Sequence, residues 1–312
     1  MIEIIKKTNV DFMGKRYIAF AVSGVFSVLG ILAIIAVVRG TANLGIDFAG
    51  GTAVQVKFDK PVKLSDVRKA LDEGGLTGAD LQEFPAVKKV LVVIKKAGSG
   101  ALDIKSASTS AGVSDKVIEI LTKGLKDNKL TVDSVSEIGP KVGSRLRTDA
   151  MWAVIASVVG ILIYVGWRFQ FSFSIGATFA TFHDVLAVLG VFYVMGYEIN
   201  LILLTALLTI AGYSLTDTVV VFDRIRENLR AMIKEPVTTV INKSINEVLS
   251  RTLITSLTVF FSSLALYFFG GEVLHSFALA MAMGVIVGTY SSVFVASPVV
   301  LLWAGDKQLV KK

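Results

Sequence analysis

Six long apolar stretches constrain this sequence more than any other feature. Each approaches or exceeds the length of about 20 residues that a helix needs to cross a bilayer, and the first contains no charged residue. Only 18% of the 312 residues are charged, whereas soluble domains average about 25%. We therefore predict an α-helical polytopic membrane protein with six transmembrane helices, at residues 17–38, 151–167, 173–195, 200–222, 253–269 and 273–303.

The positions of Lys and Arg predict how these helices are oriented. Short loops rich in Lys and Arg stay on the cytoplasmic side of a membrane. Basic residues occur in the N-terminal tail (1–16), the fourth-to-fifth connection (223–250) and the C-terminal tail (304–312), whereas the turns after the third and fifth spans contain none. We expect both termini in the cytoplasm and residues 39–148 outside it. The net charge of +7 then reflects this orientation rather than nucleic-acid binding.

The connection 223–250 is predicted to form one or two amphipathic helices, with a break at Pro236. Its arginines, Arg224, Arg226 and Arg230, are expected to face anionic lipid headgroups or an acidic partner.

The long first loop is polar enough to fold in water. Valine-rich and amphipathic segments alternate in it as β-α-β-β-α-β, the order of the ferredoxin-like split βαβ pattern. A Gly/Ser/Ala-rich stretch at 97–112 is expected to be a flexible loop. We predict an extracytoplasmic α+β ferredoxin-like domain, inserted between the first and second helices, that binds or docks a partner.

The composition argues against several kinds of chemistry. The sequence contains no cysteine and only two histidines, His183 and His275. Disulfides, thiolate metal sites and cysteine nucleophiles are therefore excluded, and a histidine-rich metal site is not expected. The nucleotide-binding pattern G-x-x-x-x-G-K-[ST] is also missing. We expect no catalytic centre, metal or cofactor.

Ionisable residues inside the apolar stretches are the main functional signal. Such a residue at bilayer depth costs about 2.5–3.5 kcal/mol, so it is a functional candidate by default. Asp217 lies deep in the fourth span, Asp184 follows His183 in the third, and Arg251 stands at the entrance of the fifth. Arg251 could instead reach the headgroups as a boundary residue, and Asp184 could face a polar turn.

Hydroxyl residues at helical spacing accompany these charges and could line a path for water. Such residues are also common at membrane helix interfaces for packing alone. The stripes are Ser174, Thr178, Thr181 and Asp184; Thr205, Thr209, Gly212 and Thr216; and Arg251, Thr255, Thr258 and Ser262.

Five segments carry a resemblance to a known family. They are 44–52 (LGIDFAGGT), 137–143 (EIGPKVG), 182–185 (FHDV), 211–228 (AGYSLTDTVVVFDRIREN) and 250–256 (SRTLITS). In their order and their placement around six spans they resemble the SecD/SecF family of protein-export membrane subunits. More widely, the sequence is similar to the resistance–nodulation–division exporters.

The resemblance implies a function. It implies an auxiliary subunit of the bacterial Sec translocase in the inner membrane, which pairs with SecD beside the SecYEG channel and completes preprotein export with the proton-motive force. YajC and YidC are further candidate partners. Asp217 would carry the proton and Arg251 would alternately pair with it, supported by His183, Asp184, Thr216 and Thr255; Gly45, Asp47, Gly50 and Gly51 would be the motif at the entry of the domain.

Three alternatives stay open at this point. A carboxylate beside hydroxyls can also bind Na⁺, so the coupling ion is not fixed by the sequence. The chain could be half of an exporter of lipid or small hydrophobic molecules, although such exporters usually carry both halves in one chain. It could also be a purely structural subunit, in which case replacing Asp217 would leave function intact.

Overall fold

The computed structural model describes residues 8–84, 88–95, 111–126, 128–168, 171–232 and 234–304. The chain divides into two compact units, Leu44–Met151 and a helical unit made of Met1–Asn43 with Trp152–Lys312. The expected loop at 97–112 and the expected C-terminal tail fall almost entirely outside the described residues.

The first unit, which we call the sheet unit, is a four-stranded antiparallel sheet with two helices. A short helix α2 (Ile46–Ala49) leads into β1 (Gly51–Phe58), and α3 (Leu64–Glu73), β2 (Asp80–Phe84), β3 (Lys89–Lys95), α4 (Ala111–Gly124) and β4 (Leu130–Ile138) follow. The strand order is β2-β3-β1-β4. The predicted β-α-β-β-α-β element order is therefore present.

Alternation along the strands and helical spacing along α3 and α4 build the core of the sheet unit. Side chains two apart on a strand share one face, and those three or four apart on a helix share another. The buried residues follow these periods: Val54, Val56 and Phe58 on β1; Val90, Val92 and Ile94 on β3; Val67, Ala70 and Leu71 on α3; Val113, Val117 and Leu121 on α4.

Two glycines make the entry into β1 possible. Gly50 and Gly51 have φ angles of +71° and +148°, which L-residues rarely adopt. Gly51 pairs with Ile138 at the end of β4. A Cβ atom on Gly143 would lie 2.9 Å from the backbone N of Gly50. The family-like segments 44–52 and 137–143, at the beginning and near the end of this unit, are thus in backbone contact.

Within the described residues, the helical unit contains six helical stretches that are long and apolar enough to cross a membrane, as predicted. They are α1 (Arg16–Arg39), α5 (Pro140–Arg168), α6 (Phe171–Val194), α7 (Leu201–Ala231), α8 (Val237–Phe269) and a last stretch formed by α9 (Gly271–Ser291), a π turn (Ser292–Ala296) and α10 (Ser297–Ala304). The first part of α5 belongs to the sheet unit.

Three helices extend well beyond the predicted spans. Helix α5 begins at Pro140 rather than near residue 151. Helices α7 and α8 extend into the connection 223–250, which was predicted to form one or two amphipathic helices; α7 ends at Ala231 and α8 begins at Val237, directly after the predicted break at Pro236. Arg224 there does not face lipid alone, because it donates to Glu247 (2.7 Å) and Glu227 (2.6 Å). The hydropathy pattern indicates which residues lie at bilayer depth, whereas backbone hydrogen bonding allows the helices to continue beyond those residues.

Helix α6 is the central helix of this unit and packs against α1, α7, α9 and α10. Glycines allow α1 and α6 to approach closely: a Cβ atom on Gly190 would lie 2.6 Å from the backbone N of Gly30. Small residues at such crossings are typical of membrane helix packing. Helix α5, in contrast, contributes only its end near Val165 to the described core.

The π turn before Pro298 interrupts the last stretch. Proline lacks the N–H for the usual bond and crowds the preceding turn. The hydroxyl of Ser297 donates to the carbonyl of Ser292 at 3.0 Å. Such turns occur frequently at functional sites.

The segment before α1, residues 8–15, packs onto α8; we call it the N-terminal strap. The backbone N–H of Val10 donates to Asn246 Oδ1 (2.9 Å), and Asn246 Nδ2 donates back to the Val10 carbonyl (2.9 Å). One turn away on α8, Asn242 Oδ1 accepts from the backbone N–H of Phe12 (3.0 Å). The described part of the predicted N-terminal tail is therefore fixed to the helical unit.

Candidate functional site

Asp217 lies on α7 within the helical unit and is only 6% exposed. Two hydroxyls from α8 donate to its carboxylate. Ser256 reaches Oδ2 at 3.2 Å, and Thr255 reaches Oδ1 at 3.5 Å, which is the limit for such a bond. The carboxylate is thus held across the α7–α8 interface by neutral donors.

Ser256 is the centre of this cluster. Its hydroxyl oxygen accepts from Tyr213 on α7 at 3.2 Å and from Thr289 on α9 at 2.7 Å, while its hydrogen goes to Asp217. Three helices therefore meet at one side chain. Moving any one of them changes the hydrogen bonds that Asp217 receives.

Arg251 does not contact Asp217 in this arrangement. It lies on α8 one turn before Thr255, and its side chain is exposed. Within the described ranges, no ion pair joins Arg251 to Asp217. The expected pair is therefore apart in this arrangement.

Asp184 on α6 is fully buried, at 0% exposure. One oxygen, Oδ1, lies 2.9 Å from His183 Nδ1. The other, Oδ2, accepts from the hydroxyls of Ser214 on α7 and Ser291 on α9, the latter at 2.7 Å. Asp184 thus links α6 to α7 and α9 and does not face a polar turn.

The imidazole of His183 is buried beside α1 and α9. Its exposure is 4%, and the ring centroid lies 6.4 Å from that of Tyr290. Tyr290 donates its hydroxyl to the carbonyl of Ala19 on α1 at 2.9 Å. His183 Nε2 has no hydrogen-bond partner among the described residues.

Several residues of the predicted hydroxyl stripes donate to carbonyls of their own helices rather than to a neighbouring helix. Thr216 is exposed and donates to Gly212 in its own helix at 3.2 Å, and Thr178 and Thr181 likewise bond to carbonyls one turn back. Besides the predicted Thr255, the two buried carboxylates use five residues that the sequence analysis did not single out: Tyr213, Ser214, Ser256, Thr289 and Ser291. Tyr213 and Ser214 precede Asp217 on α7 and could have been found by testing each face of that helix.

The other predicted motif lies in the sheet unit. Gly45 caps α2, Asp47 lies in its first turn, and Gly50 and Gly51 form the turn into β1. Among the described residues, no group of three or more His, Cys, Asp or Glu side chains could hold a metal ion.

Comparison with known proteins identifies the family. Residues 117–306 match the family "Protein export membrane protein SecD/SecF, C-terminal", and residues 42–62 match the SecD/SecF GG motif. The chain belongs to the SecD/SecF family.

Curated relatives on the SecF side of this family are similar along the full chain. The protein translocase subunit SecF of Thermodesulfovibrio yellowstonii is 55% identical over 314 residues, covering 100% of both chains. The SecF of Calditerrivibrio nitroreducens is 43% identical over 96% of each chain. The full-length similarity makes this chain a SecF-type accessory subunit of Sec translocation.

Solved structures of SecDF share the fold. The translocon-associated membrane protein SecDF from Thermus thermophilus is 35% identical, with a TM-score of 0.79 over 95% of this chain. A structure of SecDF in a super-membrane-facing form gives a TM-score of 0.66 over 97% of this chain at 36% identity. The present SecF-type chain spans 39% of the length of each of those chains.

Proposed function

We propose that this SecF-type chain pairs with a SecD subunit beside the SecYEG channel and uses the proton-motive force to complete preprotein export. Family membership supports the export role, and the match to 39% of SecDF supports a SecD partner that supplies the remaining part. One proton crossing 100 mV releases about 2.3 kcal/mol, enough to bias a helix movement more than tenfold.

The observation that carries the proposal is the setting of Asp217. A carboxylate at membrane depth is costly, and this one is held only by neutral hydroxyl donors in the described chain. Such a group can exist in either protonation state, depending on what surrounds it. It therefore has the properties of a proton carrier.

Arg251 supplies the second state of the cycle. Four residues of helix correspond to a rise of about 6 Å, so the guanidinium begins one turn from the hydroxyls that now hold Asp217. When Asp217 is ionised, Arg251 approaches it; when Asp217 takes up a proton, this attraction is lost and the hydroxyls suffice. Exchange between these partners moves α8 against α7.

The remaining parts of the chain receive complementary roles. We assign the sheet unit to an extracytoplasmic ferredoxin-like domain that captures or releases the emerging polypeptide. Both termini then lie in the cytoplasm of a bacterial cell, below its inner membrane. Basic residues near those ends would contact anionic lipid, and YajC and YidC are candidate neighbours in the complex.

Export in living cells tests this proposal. Cells depleted of the chain are complemented with wild type, Asp217→Asn or Asp223→Asn at equal abundance, and precursor processing is followed by pulse-chase. Asp223 is the matched control, because it lies on the same helix but pairs with Arg168 at 3.3 Å in an exposed position. We expect precursors to accumulate with Asp217→Asn and to clear with Asp223→Asn.

Two other outcomes would contradict the proposal. Full rescue by Asp217→Asn would make the chain a structural subunit, and normal processing after depletion would remove the export role. The coupling ion is tested by collapsing the proton gradient in sodium-free vesicles: export that survives this treatment excludes protons as the driving ion.

A further inference from the structure

The proposed proton cycle leaves Asp184 without a role, although it is the more deeply buried of the two carboxylates. His183 on α6 and Tyr290 on α9 are the titratable side chains nearest to it, and Asp217 lies one turn beyond Ser214 on α7. Within its sequence, α1 has charges only at its two ends, and α10 has none. No Lys or Arg in the described residues bonds to Asp184.

We propose that Asp184 is a second proton-binding site of the helical unit, and that its ionised form latches α6 to α7 and α9. The proposal rests on the proposed function for the source of the protons. Its geometry is independent of Asp217: two serine hydroxyls from two different helices converge on one carboxylate oxygen, and a histidine nitrogen holds the other.

His183 offers the route by which a proton reaches Asp184. In the neutral ring, Nδ1–H donates to Asp184 Oδ1, and Nε2 is a buried acceptor without a described partner. A proton that binds Nε2 allows the Nδ1 proton to pass to Oδ1. The ring is then neutral again in its other tautomer, and Asp184 is a neutral acid whose O–H donates back to Nδ1.

Proton uptake weakens the latch because it removes the charge from the acceptor. Hydrogen bonds to an ionised group are roughly twice as strong as those between neutral groups. Ser291 also has another acceptor within reach, the carbonyl of Gly288 in its own helix at 3.1 Å. When Asp184 is neutral, the Ser291 hydroxyl turns to Gly288, and the link between α6 and α9 is lost.

The two carboxylates share the helices that they hold. Ser214 and Asp217 lie one turn apart on α7, and Ser291 lies two residues from Thr289, which reaches Asp217 through Ser256. Releasing the Asp184 latch therefore frees α7, which the Asp217 cycle moves against α8, and α9, which contacts Asp217 through Ser256.

Infrared difference spectroscopy tests the proposal directly. The full chain, in complex with its SecD partner in lipid vesicles, is titrated with acid, and the carbonyl stretch of protonated carboxyl groups is recorded. We expect one carboxyl signal to disappear in Asp184→Asn and a different one in Asp217→Asn. If Asp184→Asn shows the same carboxyl signals as wild type, Asp184 does not bind a proton and the proposal fails.

Two serine variants test the proposal if Asp184→Asn does not fold. Ser291 and Ser292 are adjacent and both fully buried, but only Ser291 donates to Asp184, whereas Ser292 donates to Thr289 in its own stretch. Ser291→Ala should shift the frequency of the Asp184 band, and Ser292→Ala should leave it unchanged. Equal spectra for the two variants would overturn the latch.

The spectra are recorded without a cargo protein, so they separate this proposal from the proposed function. Loss of a carboxyl band in Asp184→Asn, together with normal export by Asp217→Asn, would support the second site and remove the export cycle. An unchanged spectrum in Asp184→Asn, together with failed export by Asp217→Asn, would remove the second site and support the export cycle.

Discussion

Replacing Ser256 by alanine is expected to damage the Asp217 site more than replacing Thr255. Ser256 donates to Asp217 at 3.2 Å, and removing this donor leaves a buried acceptor unsatisfied, at a cost of about 1–3 kcal/mol. Thr255 lies 3.5 Å from Asp217 and has a shorter bond to the carbonyl of Thr252, at 2.8 Å. Its hydroxyl is therefore mostly engaged in its own helix, and we expect its loss to cost less than about 0.5 kcal/mol.

The assay is the initial rate of export driven by the proton-motive force in vesicles, with the variants at equal abundance. A cost of about 1–3 kcal/mol corresponds to a rate about fivefold lower or more for Ser256→Ala. Ser263→Ala is the matched control, since Ser263 is a buried serine of α8 that donates only to the carbonyl of Val259. A Thr255→Ala rate equal to or below that of Ser256→Ala would refute the assigned geometry.

Three further predictions concern packing and the N-terminal strap. Gly51→Ala should destabilise the sheet unit by about 1–3 kcal/mol, because its φ is +148° and a Cβ would clash with a β3 carbonyl. Amide exchange in β1 measures this, and Gly139→Ala is the control, since Gly139 is uncrowded and has no positive φ. Gly190→Val should lower the melting temperature in detergent by forcing α1 from α6. The pKa of Asp11 lies below its usual 3.8, because the Gly14 N–H and the Asn242 side chain donate to its carboxylate. The strap contact with α8 is therefore complete above pH 3.8 and is lost as the pH falls through the lowered pKa. Protease cleavage of the strap should rise over that pH range, and it should rise at neutral pH in Asn242→Ala.

The order of strands and helices in the sheet unit could be predicted from the sequence. The valine-rich pattern accounts for β3, the alternating pattern for β4 and the amphipathic spacing for α3. Period-2 and period-3.6 patterns carry this information because one face of each element must be buried.

The ends of the membrane helices could not be read in the same way. Hydropathy changes where a helix leaves the bilayer, but the helix continues as long as its backbone bonds are satisfied. Pro140 and Pro236 were the better markers, because proline is favoured at the first turn of a helix and just before it.

The hydrogen-bond partners of the buried carboxylates could not be predicted for a different reason. Spacing along one helix shows which residues share a face, but not which neighbour that face meets. Thr216 and Ser214 lie two residues apart on α7, yet one is exposed and the other reaches Asp184 on α6. Only the packing of α6, α7 and α9 decides between them.

The unbroken course of α8 allows a small tilt within the membrane to produce a larger displacement at the far end of the helix. Its 33 residues make a rod of about 50 Å, of which the hydrocarbon core takes up about 30 Å. A tilt of about 10° within the bilayer would swing the free arm of about 20 Å through about 4 Å at its tip. Asn242 and Asn246 lie on that arm, so the strap would travel with it, and a small event beside Asp217 would become a displacement large enough for another protein to sense.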